Sequence, residues 1–388
     1  MLWKGSALWL PATYGIGMED LTNTVETGGD LATLDALLAG LPNSPAVFAL
    51  WPAEGEPYLS KTGMLRRRLL RLLAARERPS RMLNLRQTVR RIEYRITGSA
   101  FESAVLLYRE ARRLFPDRYL KLLRLHMPPY VKILVQNEYP RSVVATQLSR
   151  APALYFGPFR SRASAERFES QFLDLFQMRR CQEDLAPSPT HPGCIYGEMA
   201  MCLRPCQQLV GTDEYGHEVA RAAEFLRTGG HSLLQAIAHS RDRLSEEMLF
   251  EDAARQHKRY EKVQDVIKQA DELARDVDRL NGVAITRSLA PSAVEMWFVR
   301  GGVWQEPQRF SFEVHEGSPV PLDGKLRETF AAVAPRKVTV KERQEYLALL
   351  ARWYYSTWRD GEWLGFSDYA DIPYRKLVNA VSRVAGKS

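Results

Sequence analysis

No run of 18 or more apolar residues occurs anywhere in the sequence, which excludes a membrane-spanning helix. No internal repeat and no low-complexity tract is present, and with 45% apolar and 10% aromatic residues the chain is not compositionally disordered. Cysteine is nearly missing: all 4 lie between Cys181 and Cys206. In a reducing compartment such clustering favours a metal site over disulfides. The opening residues MLWKGSALWLPATYG lack a clean cleavage site, so a mature start and a cytoplasmic chain are expected. Acidic residues are outnumbered, 46 Asp and Glu against 54 Lys and Arg, giving a net charge of +8 that suits a polyanion such as DNA or RNA.

What is there divides into several modules, as 388 residues require. Residues 1–43 are of mixed character, with a loop at Thr13–Gly17 and a helix expected around Leu31–Ala39. Apolar segments flanking PAEGEP between Ala46 and Leu59 indicate a β-hairpin. A very basic helix is expected from Leu65 to Arg78, and Lys61–Arg95 carries twelve Lys or Arg against two Glu. Glu93–Thr97 has a strand pattern, and Phe101–Phe115 a helical one ended by Pro116. Strands are expected at Val131–Gln136 and Ser142–Thr146, joined by the NEYPR turn, followed by an amphipathic helix at Ala163–Phe176. Residues 216–280 are helical in pattern, broken only at Gly229–Gly230. Val283–Ile285, Ala293–Val299 and Gln308–Val314 are strand-like, with a turn at Arg300–Gly302, and 341–384 is mostly helical. The expected class is α+β.

The chemistry concentrates in Cys181, Cys194, Cys202 and Cys206, spaced C-x(12)-C-x(7)-C-x(3)-C. Four thiolates satisfy either a tetrahedral zinc or a cubane iron–sulfur cluster, since soft sulfur suits both. The intervening EDLAPSPTHPG is rich in Pro and Gly, a composition that wraps a metal and does not make a core helix. Spacing alone leaves zinc and iron open.

The flanking residues carry a resemblance. YFGPF (Tyr155–Phe159), RRC (Arg179–Cys181), PGC (Pro192–Cys194) and CLRPC (Cys202–Cys206), in that order, resemble the cysteine region of the UvrC family. The resemblance implies a [4Fe-4S] cluster on the four cysteines. It extends over LPNSPAVFAL (Leu41–Leu50) and YLSKTGMLRRRL (Tyr58–Leu69), which sit where the family has its GIY-YIG nuclease segments. TGSAFESAVLL (Thr97–Leu107), RYLKLLR (Arg118–Arg124), PPYVKI (Pro128–Ile133) and EYPR (Glu138–Arg141) continue it. LSEEMLFEDAARQHKRYEKV (Leu244–Val263) resembles the UVR helical hairpin through which that family associates with UvrB, and VEMWFVRGG (Val294–Gly302) the β segment after it. The implied layout is an N-terminal extension (1–43), a GIY-YIG-like domain (44–125), a linker and four-cysteine segment (126–215), a UVR-like hairpin (216–280) and a small β-then-helical C-terminal domain (281–388). The last residues supply no evident carboxylate cluster for two metals, so the family's RNase H-like incision centre is expected to be absent.

Matched residue by residue, Tyr58 falls on a nuclease tyrosine, Lys61 on the lysine after it and Arg68 on the phosphate-stabilising arginine. Phe48, Ala46, Ser60 and Leu72 replace family residues, and the metal-binding glutamate falls on Leu107, the asparagine near Leu120. Leucine offers Mg²⁺ no oxygen, so Tyr58 and Arg68 are expected to be vestigial and Mg²⁺ to matter only if a nuclease centre works. Glu110, three positions on, is the alternative ligand. Lys61, Arg66, Arg67 and Arg71 are the expected DNA contacts. Phe250, Glu251, Ala253 and Ala254 are the expected contacts to a UvrB-like partner, with Met248 in the first apolar stripe and Phe250 anchoring the helix junction. The expected function is excision-repair DNA binding without a competent nuclease. The alternatives are a single-incision endonuclease similar to short UvrC homologues and a redox-sensing DNA binder.

Overall fold

The computed structural model describes residues 21–27, 31–74, 85–312 and 322–386; Thr13–Gly17, the expected helix beyond residue 74 and the strand end at Val314 lie outside the described residues. Helix and sheet are mixed throughout, in three antiparallel sheets with helices packed against them.

The first sheet is built from β1 (Asn23–Glu26), β2 (Ala46–Pro52), β3 (Tyr58–Thr62) and β4 (Val89–Ile96), in the order β1-β4-β2-β3. Helices α1 (Leu31–Gly40), α2 (Leu65–Leu72), α3 (Leu85–Thr88), α4 (Ala100–Leu114) and α5 (Tyr119–Leu123) accompany it. The AVFAL run of β2 is buried on every residue. Phe48, Leu50 and Ile92 share a core with Leu34, Leu38, Leu65 and Leu69. Leu65, Leu69 and Leu73 follow helical spacing on the inner side of α2, which leaves Arg66, Arg67 and Arg71 exposed outside. The basic helix therefore ends at Leu72, short of the expected Arg78 within the described residues. Residues expected as an extension contribute β1, which pairs with β4 and is tied by the Thr27 hydroxyl to the carbonyls of Val89 and Arg90.

The second sheet takes β5 (Tyr130–Ile133), β6 (Ser142–Ala145), β7 (Leu154–Gly157) and β8 (Arg275–Asp276), in the order β6-β5-β7-β8. Packed on it are α6 (Arg162–Leu173), the short α7 (Ile195–Glu198), α8 (Thr212–Arg227), α9 (His231–Glu246) and α10 (Phe250–Lys268). Helix α9 ends at a place the sequence does not punctuate: Met248 adopts φ 57° and the amide of Leu249 closes on the carbonyl of Leu244 at 2.8 Å. A left-handed cap on methionine instead of glycine leaves no compositional mark.

The third sheet holds β9 (Asn281–Arg287), β10 (Ala293–Arg300), β11 (Val303–Trp304), β12 (Gln308–Ser311) and β13 (Gly361–Phe366); β9 lies between β10 and β13. Helices α11 (Leu322–Ala331) and α13 (Tyr374–Ala385) pack with one side of it, while α12 (Val340–Tyr354) turns to α4. Strand β13 interrupts a stretch expected to be mostly helical, because its pairing partner is eighty residues away in sequence and no local pattern reports it. A side chain at Gly361 would strike the carbonyl of Ile285 at 2.3 Å, so the strand needs that glycine.

These sheets meet at an aromatic knot, where Phe101 of α4 lies 4.7 Å from Trp353, 5.2 Å from Trp297 and 5.4 Å from Trp304, centroid to centroid. Helix α4 starts with a variant capping box: Ser99 accepts from the amide of Glu102 at 3.0 Å and Glu102 accepts from that of Gly98 at 2.7 Å. Burial, reinforced by nearby Glu295 and opposed by the Gly98 contact, pushes the Glu102 carboxyl up to about 7. The folded state therefore holds its proton more tightly than the unfolded chain, so stability falls as pH rises from about 4.5 to about 7, by a few kcal/mol at most. Glu102→Gln is expected to remove this share of the slope and to leave the variant more stable than the parent at pH 8, measured by urea unfolding at pH 5 and pH 8.

Candidate functional site

The cysteine segment runs from the end of α6 to the start of α8. Its backbone is bent by residues in unusual conformations: Ala200, Arg204 and Gln208 all take the left-handed region without being glycine. Such conformations cost on the order of 1 kcal/mol or more each and persist where surroundings enforce them. Gly193 of the PGC triplet has φ 77°, and a Cβ there would meet the Gln207 amide at 2.9 Å. Cys194 begins α7, and the Ser188 amide donates to the carbonyl of Cys206 at 2.9 Å, closing the loop on itself.

All four cysteines are free thiols: Cys202 and Cys206 are buried, Cys181 is half-buried and Cys194 exposed. They lie near enough to act on one another electrically. Burial pushes the Cys202 thiol up to about 11, and Cys181, Cys194 and Cys206 add to the rise, while the Arg204 amide opposes it. Cys206 is raised by burial and then by Cys194 and Cys181. Among the described residues, no three of His, Cys, Asp and Glu converge tightly enough to make a ready single-ion site. Donors point at the sulfurs: the Arg204 amide reaches Cys202 Sγ at 3.4 Å, and Arg179 Nη1 reaches Cys181 Sγ at 3.5 Å.

Arg179 is a residue that ligand-counting passes over. It is 4% exposed, donates through Nε to the Tyr139 carbonyl at 2.9 Å and through Nη1 to that of Glu183 at 3.0 Å. Its amide donates to the Tyr215 hydroxyl, which in turn donates to the Pro140 carbonyl. Arg204 bridges likewise, Nε to the Gly197 carbonyl at 2.7 Å. The RRC and LRPC segments thus carry arginines that hold the loop around the thiols; their nearness to cysteine in sequence was the only available signal.

The nuclease-like positions are split between two places. Tyr58 and Arg68 line a cavity of about 590 Å³ together with Arg71 and Glu56. Lys61 and Leu107 line a separate cavity of about 60 Å³, shared with Trp358, Arg352 and Leu349 from the C-terminal residues. The Lys61 ammonium lies 5.0 Å from the Trp358 ring centroid, and Arg352 donates to the Leu123 carbonyl at 3.0 Å. Burial, then repulsion from Arg352, lowers the Lys61 pKa against a small opposing pull from Asp360. Lys61 therefore sits apart from the arginine face of α2. On that face Arg66 also donates to the Leu41 carbonyl at 2.6 Å.

Both nearby glutamates are already engaged with other groups. Glu110 is 1% exposed and paired with Arg113 at 2.6 Å, and Glu102 caps its own helix. The cover is anchored at Glu345 of α12, which accepts from Tyr108 at 2.5 Å and from Tyr119 at 2.6 Å. Burial first, then Glu345, raises both phenols far above the ordinary tyrosine value.

In the α9–α10 hairpin, Leu233, Ile237, Ala253 and Val263 are buried, while Ala254 and Glu251 are exposed. The tip corrects two expectations. Met248 is 77% exposed and belongs to no apolar stripe, and Phe250, 65% exposed, does not anchor the helix junction. With Leu249 they form an apolar tip facing solvent.

Residues 129–225 match the family model described as the UvrC/Cho excinuclease middle domain. The chain is 27% identical over 339 residues to the UvrABC system protein C of Desulfatibacillum aliphaticivorans, covering 83% of this chain and 54% of that one. It is 26% identical over 275 residues to that of Dehalococcoides mccartyi strain CBDB1, covering 70% and 45%, and 22% over 363 residues to that of Acetivibrio thermocellus, covering 90% and 56%. The chain spans about half the length of these curated relatives. No solved structure matches it.

Proposed function

Because the chain belongs to the UvrC family, we propose that it serves nucleotide excision repair by holding DNA and a UvrB-like partner without cutting through its GIY-YIG-like domain. The observation that carries the reading is the aliphatic side chain at Leu107. The position needing a metal-binding carboxylate offers no oxygen, and Trp358, Arg352 and Lys61 line the space beside it. A hard cation has no carboxylate ligand in that lining, and two of its side chains are cationic. The single-incision alternative rests on Tyr58 and Arg68 sharing an open cavity, and it must find its metal elsewhere.

We favour a [4Fe-4S] cluster over one zinc on the four thiols, from the resemblance of their spacing and flanking residues to the UvrC cysteine region. Four thiolates suit either group, and N–H groups are aimed at two of the sulfurs. Bound, such a cluster supplies four metal–thiolate bonds that fix the loop, and an electron-transfer centre. Phe250, Glu251 and Ala254 are exposed on the hairpin and available to a partner helix pair, with Ala253 buried behind them.

The DNA part is tested by binding of a labelled duplex across a salt series. Affinity is expected to fall steeply with salt, and Arg67→Glu with Arg71→Glu to weaken it at least about tenfold and flatten the slope by roughly two. Binding that is insensitive to both salt and these substitutions would contradict it.

A further inference from the structure

A cavity of about 640 Å³ opens where the end of α8, the turn into α9, β8 with the turn after it, and β13 come together. It lies within the range of about 300–1,000 Å³ typical of small-ligand sites. Three arginines line it, Arg227, Arg275 and Arg279. Arg227 has Glu224 at 3.7 Å, while among the described residues Arg275 and Arg279 form no close ion pair and spend single N–H groups on the carbonyls of Ala274 and Arg227; Asp276 attracts Arg279 and Arg227 only at longer range. The acids of the lining are already engaged: Glu272 accepts from Tyr354 at 2.6 Å, and Asp276 accepts from the Asp278 amide at 3.1 Å and is 6% exposed. Guanidinium groups without a close ion pair therefore face a space in which Glu272 and Asp276 already accept hydrogen bonds from the protein.

The wall from β13 is aromatic, with Trp363 and Phe366. Trp363 is fixed, because its ring sits where a side chain on Gly282 would be, 2.4 Å from that ideal Cβ. Guanidinium forks bind phosphate oxygens bidentately, and a fixed indole offers a flat face to a planar base. We propose that this cavity binds a nucleotide unit, its phosphate on Arg275 and Arg279 and its base on the aromatic wall. The site is independent of the thiols, of the arginine face of α2 and of the hairpin tip, so it stands or falls separately from the function proposed above.

The unit can be a free nucleotide or one residue of an unpaired strand, and both present the same groups. Equilibrium dialysis of the full chain against labelled deoxyadenosine monophosphate is the test, run on the parent and on Arg275→Ala/Arg279→Ala. Both arginines are exposed, so the melting temperature of the variant should match that of the parent. Saturable binding that weakens at least about tenfold in the variant, and that inorganic phosphate displaces poorly, is the expected result. Displacement by a single-stranded oligonucleotide assigns the site to a nucleotide within a strand; its failure assigns it to the free nucleotide. No saturable binding, binding undiminished in the variant, or phosphate competing as well as the nucleotide overturns the proposal.

Discussion

With the proposed [4Fe-4S] cluster on the four thiols, Cys202→Ser is expected to strip the chain of its visible absorption and to lower bound iron at least about tenfold. Cys202 is buried and lies within electrical reach of the other three thiols, and the Arg204 amide is already aimed at its sulfur. A serine hydroxyl there cannot replace a soft thiolate. The damage should spread, because binding energy at such a site is folding energy for the loop that supplies the ligands. Ala200, Arg204 and Gln208 would then lose what enforces their left-handed backbone. Anaerobic purification, metal analysis and limited proteolysis across 181–208 read all three effects. Colourless parent protein with one zinc would replace the cluster by a simpler ion, and metal content unchanged by the substitution would remove the thiols from the account.

The second large effect is expected at Glu345→Ala, a loss of about 3–5 kcal/mol in unfolding free energy. Glu345 is 1% exposed and accepts from both Tyr108 and Tyr119, so its removal leaves two buried hydroxyls without an acceptor in a space that water does not readily reach. Arg112, which donates to the Tyr108 hydroxyl at 3.3 Å, loses its place in the network as well. Glu345→Gln retains one acceptor oxygen and should cost markedly less. Denaturant titration of the three proteins ranks them, and equal stability of alanine and parent would contradict the network. The same helix carries Leu349 and Arg352 into the lining of the Leu107 pocket, so the packing of that pocket is expected to loosen with the network.

Much of this architecture was visible in residue patterns where the information is local. The PAEGEP hairpin, α4 with its S-x-x-E start, and the strands around Arg300–Gly302 each declare themselves through period, cap or turn chemistry. What stayed hidden depends on distant partners. β13 exists because β9 offers it an edge, the break at Met248 uses a residue that rarely caps a helix, and Phe250 is apolar for a surface instead of for the junction beside it. At the candidate site, Cys181, Cys194, Cys202 and Cys206 could be singled out because cysteine occurs nowhere else. The arginines that brace them could not, since Arg179 and Arg204 are two among many in a basic chain. Leu107 could be read as a departure from the resembled family's glutamate, but its pocket neighbours Trp358 and Arg352 could not, for they arrive from more than two hundred residues away.

The proposed function requires that the proposed GIY-YIG-like domain does not hydrolyse DNA. Incubation of the purified full chain with damaged, supercoiled duplex and either Mg²⁺ or Mn²⁺ measures this directly, by conversion to nicked circles. The missing carboxylate at Leu107 predicts no conversion above that of a protein-free control, with Arg68→Ala indistinguishable from the parent. Metal-dependent nicking that disappears in Arg68→Ala would contradict it.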